Sequence, residues 1–174
     1  MIRKVLVITI LAISIIFSWN YFSLQKNISE IVESDSRNAG ISVYSYFNWF
    51  VNPNVIVFDI RDVSSEKSPM DVSRVLLQLS QKLKGNEYES IVLSFKGKPK
   101  FMLKGDFFKA TGLEYGTQNP VYTLRNLPQN VYNLDGTNSF STWTGGLLGV
   151  LGKQMEDLSE FHNQWYVKDL LSGS

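Results

Sequence analysis

The single histidine of the chain, His162, is the first residue to consider for chemistry, because the chain contains no cysteine. A serine–histidine pair would have to use this one imidazole. The spacing around it favours a structural role, since apolar residues recur every three or four positions, as on the buried side of a helix. The residues of this stripe are Leu151, Met155, Leu158, His162 and Trp165. We expect a half-buried ring that bonds a carbonyl or a carboxylate. The alternative is a hydrolase or small-ligand site that pairs His162 with Asp59 or Glu160.

Asp59 and Asp62 are the carboxylates best placed for a metal site, near the carboxyl end of a predicted buried strand. Ligands of open α/β sheets bind at such ends, and oxygen ligands suit Mg²⁺ or Ca²⁺. In a straight strand, however, alternation directs these two side chains to opposite faces. We therefore expect a hydrogen-bonded Asp59 and a solvated Asp62, and we predict neither a metal nor a cofactor.

The stretch from Gly145 to Lys153 contains four of the glycines and invites comparison with a phosphate-binding loop. It lacks two elements of that motif, because Leu147 stands where the first glycine is needed and Lys153 is not followed by Ser or Thr. Gly145, Gly149 and Gly152 instead fall on one helix face. We expect this face to let another backbone approach closely.

A cluster of lysines on a predicted hairpin is the candidate interaction site. Its members are Lys96, Lys98, Lys100, Lys104 and Lys109. They either form a solvated face that protects an edge strand, or contact anionic lipid headgroups or an acidic partner. The net charge of the whole chain is only +1, so we expect no nucleic-acid binding.

The N-terminal segment predicts a membrane span. No charged residue occurs between Lys4 and Lys26, and about 20 apolar residues cross a bilayer as a helix. Trp19 and Tyr21 lie where an interfacial aromatic belt is expected. We predict an uncleaved signal anchor over residues 1–22. The alternative is a cleaved signal peptide, although the small residues it needs, such as Ser14, fall within the apolar run.

The charges before this span predict its orientation. Arg3 and Lys4 favour a cytoplasmic N-terminus, which in a bacterium places the rest of the chain in the periplasm or outside, anchored to the inner membrane. We expect an amphipathic stalk and linker over residues 23–40, and an extracytoplasmic domain over residues 41–174.

The pattern within this domain predicts an α+β fold with a mixed sheet. Residues 55–60 read as a buried strand and residues 90–95 as the next strand, with a helix between them that begins at a Ser68–Asp71 capping box, so together they form a βαβ unit. Residues 41–51 fit a strand or a helix, and we favour the strand. The remaining predicted elements are a turn at 52–54, a hairpin partner strand at 100–104, a short helix at 107–111, a strand at 120–125 and a long final helix from about 144 to 171.

The sequence favours a non-enzymatic function. No assembled catalytic set is evident, whereas an anchor and a stalk are. We expect a single-pass membrane protein whose domain acts by protein or envelope contacts, as a scaffold or accessory subunit of a membrane complex. The hydrolase or ligand site built on His162 remains the alternative.

Overall fold

The computed structural model describes residues 2–173, apart from the side chains of residues 147 and 148. The helices are α1 (Ile2–Asn20), α2 (Lys26–Ser34), α3 (Pro69–Leu83), α4 (Gly105–Glu114), α5 (Pro120–Arg125), α6 (Leu147–His162) and α7 (Lys168–Leu171). The strands are β1 (Ile41–Asn48), β2 (Asn52–Val63), β3 (Ser90–Phe95), β4 (Lys98–Lys104) and β5 (Val131–Tyr132). Single π-helical turns, Tyr21–Gln25 and Asn163–Val167, join α1 to α2 and α6 to α7, so each pair forms one helical run.

The five strands form one mixed sheet in the order β1-β2-β3-β4-β5. The pair β2–β3 is parallel and is connected through α3, whereas the other neighbouring pairs are antiparallel. This arrangement confirms the predicted α+β class, the βαβ unit and the β3–β4 hairpin. At the start of α3, both hydrogen bonds of the predicted capping box are present, between Ser68 and Asp71.

One face of the sheet carries the hydrophobic core. Ile56, Phe58 and Ile60 of β2 are fully buried there, beside alternate residues of the other long strands. Helices α2, α3, α4 and the α6–α7 run contribute their buried apolar side chains to the same cluster, with Trp165 as its largest member. Alternation along the strands leaves the other side chains on the opposite face.

The N-terminal helical run changes character along its length. Its first part exposes apolar side chains and is long and apolar enough to span a membrane. Its second part buries Leu24, Ile28 and Ile31 in the core of the domain. The amphipathic segment that the sequence predicts as a stalk is thus packed in the core, and it continues directly from the apolar helix.

The region 41–51 forms a strand, as we favoured, but it ends earlier than its aromatic pattern suggests. Ile41, Val43 and Phe47 face the core, whereas Trp49 and Val51 lie in an exposed turn. The chain reverses at residues 49–51, and Asn52 already begins β2, so the turn predicted at 52–54 is displaced by three residues.

The strand predicted at 120–125 is wrong, since Pro120–Arg125 forms α5. The Asn119 side chain accepts a hydrogen bond from the backbone N–H of Val121, and Pro120 occupies the first helical turn. A capping residue followed by proline starts a helix, and these local signals prevail over a short alternating pattern.

The close-packing face predicted for the glycines of α6 is also wrong. Among the atoms that the structure describes, a Cβ built on Gly149 or Gly152 meets none outside its own helix within 4 Å, and a Cβ on Gly145 before the helix meets none either. The close approach occurs elsewhere, because a Cβ on Gly112 of α4 would overlap the backbone carbonyl of Ser80 in α3.

Candidate functional site

His162 lies in the core, with 1 % of its surface exposed. Its Nδ1 is 2.7 Å from the carbonyl oxygen of Leu158, and its Nε2 is 2.7 Å from Oγ of Ser73, which is also fully buried. Because a carbonyl only accepts, Nδ1 carries the proton, and Nε2 accepts from the serine hydroxyl. Both ring nitrogens are thereby satisfied, and burial lowers the pKa of His162 from 6.5 to about 4.

This serine–histidine pair lacks the other parts of a nucleophilic site. Nδ1 bonds a carbonyl of its own helix, where a catalytic triad places a carboxylate. Glu160 is exposed on the same helix and accepts hydrogen bonds from Gln164 and Asn163. Asp59 follows Phe58, which is in the core with His162, and strand alternation therefore places Asp59 on the opposite face. The structure does not bring these three candidate residues together.

Asp59 is buried on that opposite face and is fully engaged. Its carboxylate pairs with the Arg61 guanidinium at 2.7 Å and accepts the backbone N–H of Gly97 at 2.9 Å. Arg61 lies in β2 and Gly97 in the turn between β3 and β4, so Asp59 connects that turn to β2. The carboxylate is thus hydrogen-bonded, as predicted.

The expectation that Asp59 and Asp62 point to opposite faces is corrected by a β-bulge. Ile60 pairs with Val43 of β1, and Asp62 pairs with the preceding β1 residue, Ser42. Arg61 therefore has no partner residue in β1 and forms the bulge. Since Ile60 and Val63 both reach the core, the two aspartates lie on the same face. Asp62 is exposed, and the described residues contain no group of three His, Asp or Glu side chains that could hold a metal ion.

The five lysines do not form one surface. Lys100 pairs with Asp169 at 2.7 Å, and Lys109 pairs with Glu87 at 3.0 Å. Lys104 is exposed and lies over the Tyr132 ring at 4.5 Å. Lys96 and Lys98 are exposed at the β3–β4 turn.

A row of apolar side chains, which no sequence motif predicted, crosses all five strands on the face opposite the core. Register pairs connect each member to the next across the sheet. The members are Tyr46, Val57, Val92, Met102 and Tyr132. We call them the open-face row. Val57 is buried yet is not part of the core cluster, and the other four members are half-buried.

The open-face row could not be read from one strand alone. Each strand contributes only one member, and the row exists because the sheet places them in register. A contiguous apolar patch on a folded surface marks a site of interaction with a protein or a membrane. Its four half-buried members make the row a candidate contact surface.

Known proteins provide no further information on this site. Comparison with them finds no matching family model, no matching curated protein and no matching solved structure.

Proposed function

We propose that this chain is a single-pass membrane protein whose domain acts by binding another protein of the envelope. The observation that carries the proposal is the N-terminal helical run, Ile2–Ser34, whose first part exposes apolar side chains and whose second part is built into the domain. Exposed apolar surface of this extent is unfavourable in water and favourable in a bilayer. Arg3 and Lys4 support a cytoplasmic N-terminus and a domain in the periplasm or outside.

The contacts of the helix support an anchor that is retained after export. Asn20 bonds the backbone of β1, and Leu24 is fully buried in the core. Cleavage of a signal peptide after Asn20 would remove the first of these contacts from the domain.

The open-face row supports a protein partner. It provides aromatic and apolar side chains on one face of the sheet, as the centre of a protein interface does, and Arg61 of β2 and Lys104 of β4 are exposed beside it. We propose a scaffold or accessory-subunit role in which a partner with apolar and acidic side chains covers this face. The hydrolase alternative is less well supported, because the Ser73–His162 pair is buried and the imidazole Nδ1 bonds the Leu158 carbonyl, where a catalytic triad places a carboxylate.

Two experiments test this proposal. C-terminal alkaline phosphatase and fluorescent-protein fusions test the topology: an active phosphatase and a dark fluorescent protein are expected, and the reverse would refute the orientation.

For the partner, a benzoylphenylalanine photo-crosslinker replaces Tyr44, which lies beside the open-face row, or Tyr122 of α5 as the control. A discrete crosslinked product is expected only from position 44, and equal products from both positions would refute the assigned surface.

A further inference from the structure

The turn between β1 and β2 exposes large apolar side chains. Trp49 is 81 % exposed and Val51 is 57 % exposed. Trp49 and Phe50 both have left-handed backbone, with φ of 55° and 63°. Such backbone disfavours residues with a Cβ, and Asn or Gly is the usual choice. The neighbouring Asn48 and Asn52 are of a suitable type, yet the left-handed positions are occupied by aromatic residues. This turn therefore departs from the sequence that local stability favours.

This turn lies against the N-terminal half of the helical run. The Phe50 ring contacts the Phe17 ring at 5.1 Å between centroids, and Nδ2 of Asn20 donates to the Phe50 carbonyl at 2.7 Å. β1 runs antiparallel to the helix, since Asn20 meets Phe47 and Gln25 meets Ser45. The turn thus points back along α1, toward the predicted membrane.

The position of the turn along the helix indicates its depth. A span of about 20 residues that starts at Ile2 ends at Tyr21, and one that starts at Val5 ends at Leu24. Phe17 precedes both ends by at least four residues, or about 6 Å of helix rise. The Phe50 side chain therefore lies at or below the outer boundary of the hydrocarbon layer.

The charge distribution is consistent with this depth. Residues 38–58 contain no Lys, Arg, Asp or Glu, and neither do residues 5–25 of the helical run. The backbone N–H of a charged residue, Glu89, donates to the Asn54 carbonyl. Asn54 is three residues beyond Val51, or about 10 Å along a strand. Interfacial segments bury their apolar side chains by about 5–10 Å, which is the depth that this charge-free tip allows.

We propose that the β1–β2 turn, residues 49–51, inserts into the outer lipid interface beside the anchor helix as a second point of attachment. This inference rests on the proposed membrane anchoring. Attachment through a helix alone lets a domain rotate and tilt, whereas two attachments hold its sheet in one orientation. The turn at Lys96, at the other end of the parallel strands, then points away from the membrane, which directs the exposed lysines there toward a partner and not toward lipid headgroups.

The test uses single cysteines in the full-length chain, which has none of its own. Val51→Cys is compared with Val121→Cys, since both valines are 57 % exposed. Val121 lines a cleft with Arg37, beyond the far end of α2, and serves as the water-exposed control. Ile10→Cys, in the middle of α1, shows whether α1 itself lies within the bilayer. Each variant is labelled with the fluorophore NBD and reconstituted into phosphatidylcholine–phosphatidylglycerol vesicles that contain a lipid spin-labelled near its headgroup.

We expect NBD at position 51 to emit at shorter wavelength and to be quenched severalfold more strongly by the shallow spin label than NBD at position 121. Equal quenching at 51 and 121, with NBD at position 10 in a lipid environment, would refute the insertion of the turn but leave the anchor standing. A water-exposed label at position 10 would refute the anchor, and with it this inference. Circular dichroism and the thermal midpoint of each labelled variant confirm that the cysteine has not disrupted the fold.

Discussion

The side chain of Asn20 occupies the free edge of β1, where its Oδ1 accepts the backbone N–H of Phe47 at 2.8 Å. Its Nδ2 donates to the carbonyls of Ile16 and Phe50. Five residues later, Gln25 accepts the N–H of Ser45 and donates to the Val43 carbonyl. In an α-helix, positions five apart do not share a face, but the π-helical turn at 21–25 aligns them. The helix side chains therefore satisfy the backbone N–H and C=O groups at the free edge of β1, as a neighbouring strand would.

Asn20→Ala should destabilise the domain markedly. It removes three hydrogen bonds and leaves the buried N–H of Phe47 without its acceptor, and an unsatisfied buried donor costs about 1–3 kcal/mol. We expect a decrease of that order in the free energy of unfolding, measured by denaturant titration in a mild detergent.

Asn27→Ala is the matched control for this substitution. Asn27 donates only to the Ser23 carbonyl of its own helix, so its loss should change the free energy of unfolding by less than about 0.5 kcal/mol. Equal effects of the two substitutions would show that the helix–strand contact does not stabilise the fold.

The elements that the sequence predicts well are those whose signals are local. The βαβ unit follows from the apolar run at 55–60, the strand pattern at 90–95 and the capping box between them. The contact of Asn20 with β1 joins residues 27 positions apart, and the only hint of it is a pair of amides, Asn20 and Gln25, in an otherwise apolar or hydroxylic segment. The open-face row likewise depends on strand register, which no single segment reveals.

The α6 glycines show the same difference between pattern and packing. Their spacing placed them on one face, but spacing does not say which neighbour that face meets. Among the described atoms, a Cβ on Gly149 or Gly152 meets none outside the helix within 4 Å, whereas a Cβ on Gly112 would overlap the Ser80 backbone in α3. The sequence alone cannot distinguish a glycine required by packing from one that is not.

Gly152→Ala should therefore stabilise the chain. Glycine costs about 1 kcal/mol relative to alanine in a helix interior, and the added methyl group meets no neighbour here. Gly112→Ala, also within a helix, should destabilise by about 1–3 kcal/mol because the methyl group would overlap the Ser80 carbonyl. Denaturant titration of both variants checks the pair, and a destabilising Gly152→Ala would contradict the open environment of α6.

The pH dependence of stability should report the burial of His162. Its pKa is lowered by burial from 6.5 to about 4 in the folded chain. Between these values the unfolded chain binds a proton that the folded chain does not, so the stability is fully present above pH 6.5 and falls as the pH is lowered toward 4. The expected loss from this residue is about 2 kcal/mol at pH 5.

His162→Gln isolates this contribution, because no other histidine is present. The variant should be less stable at neutral pH but should lose less stability between pH 7 and pH 5. In the unaltered chain, the imidazole signals in an NMR titration should stay constant over the same range. Imidazole titration near pH 6.5 would instead indicate an accessible ring and would revive the site hypothesis for His162.

The last prediction concerns the open-face row. Met102→Glu places a charge in the middle of this surface, and Met155→Glu places one on α6, where Met155 is 38 % exposed. Burying a carboxylate against an apolar partner is unfavourable, so Met102→Glu should reduce recovery of the crosslinked partner at least severalfold, whereas Met155→Glu should leave it unchanged. Thermal midpoints measured in parallel separate loss of binding from loss of folding. If the two variants retain the partner equally well at equal stability, the partner binds another surface, and the position 44 crosslink reports proximity without contact to this row.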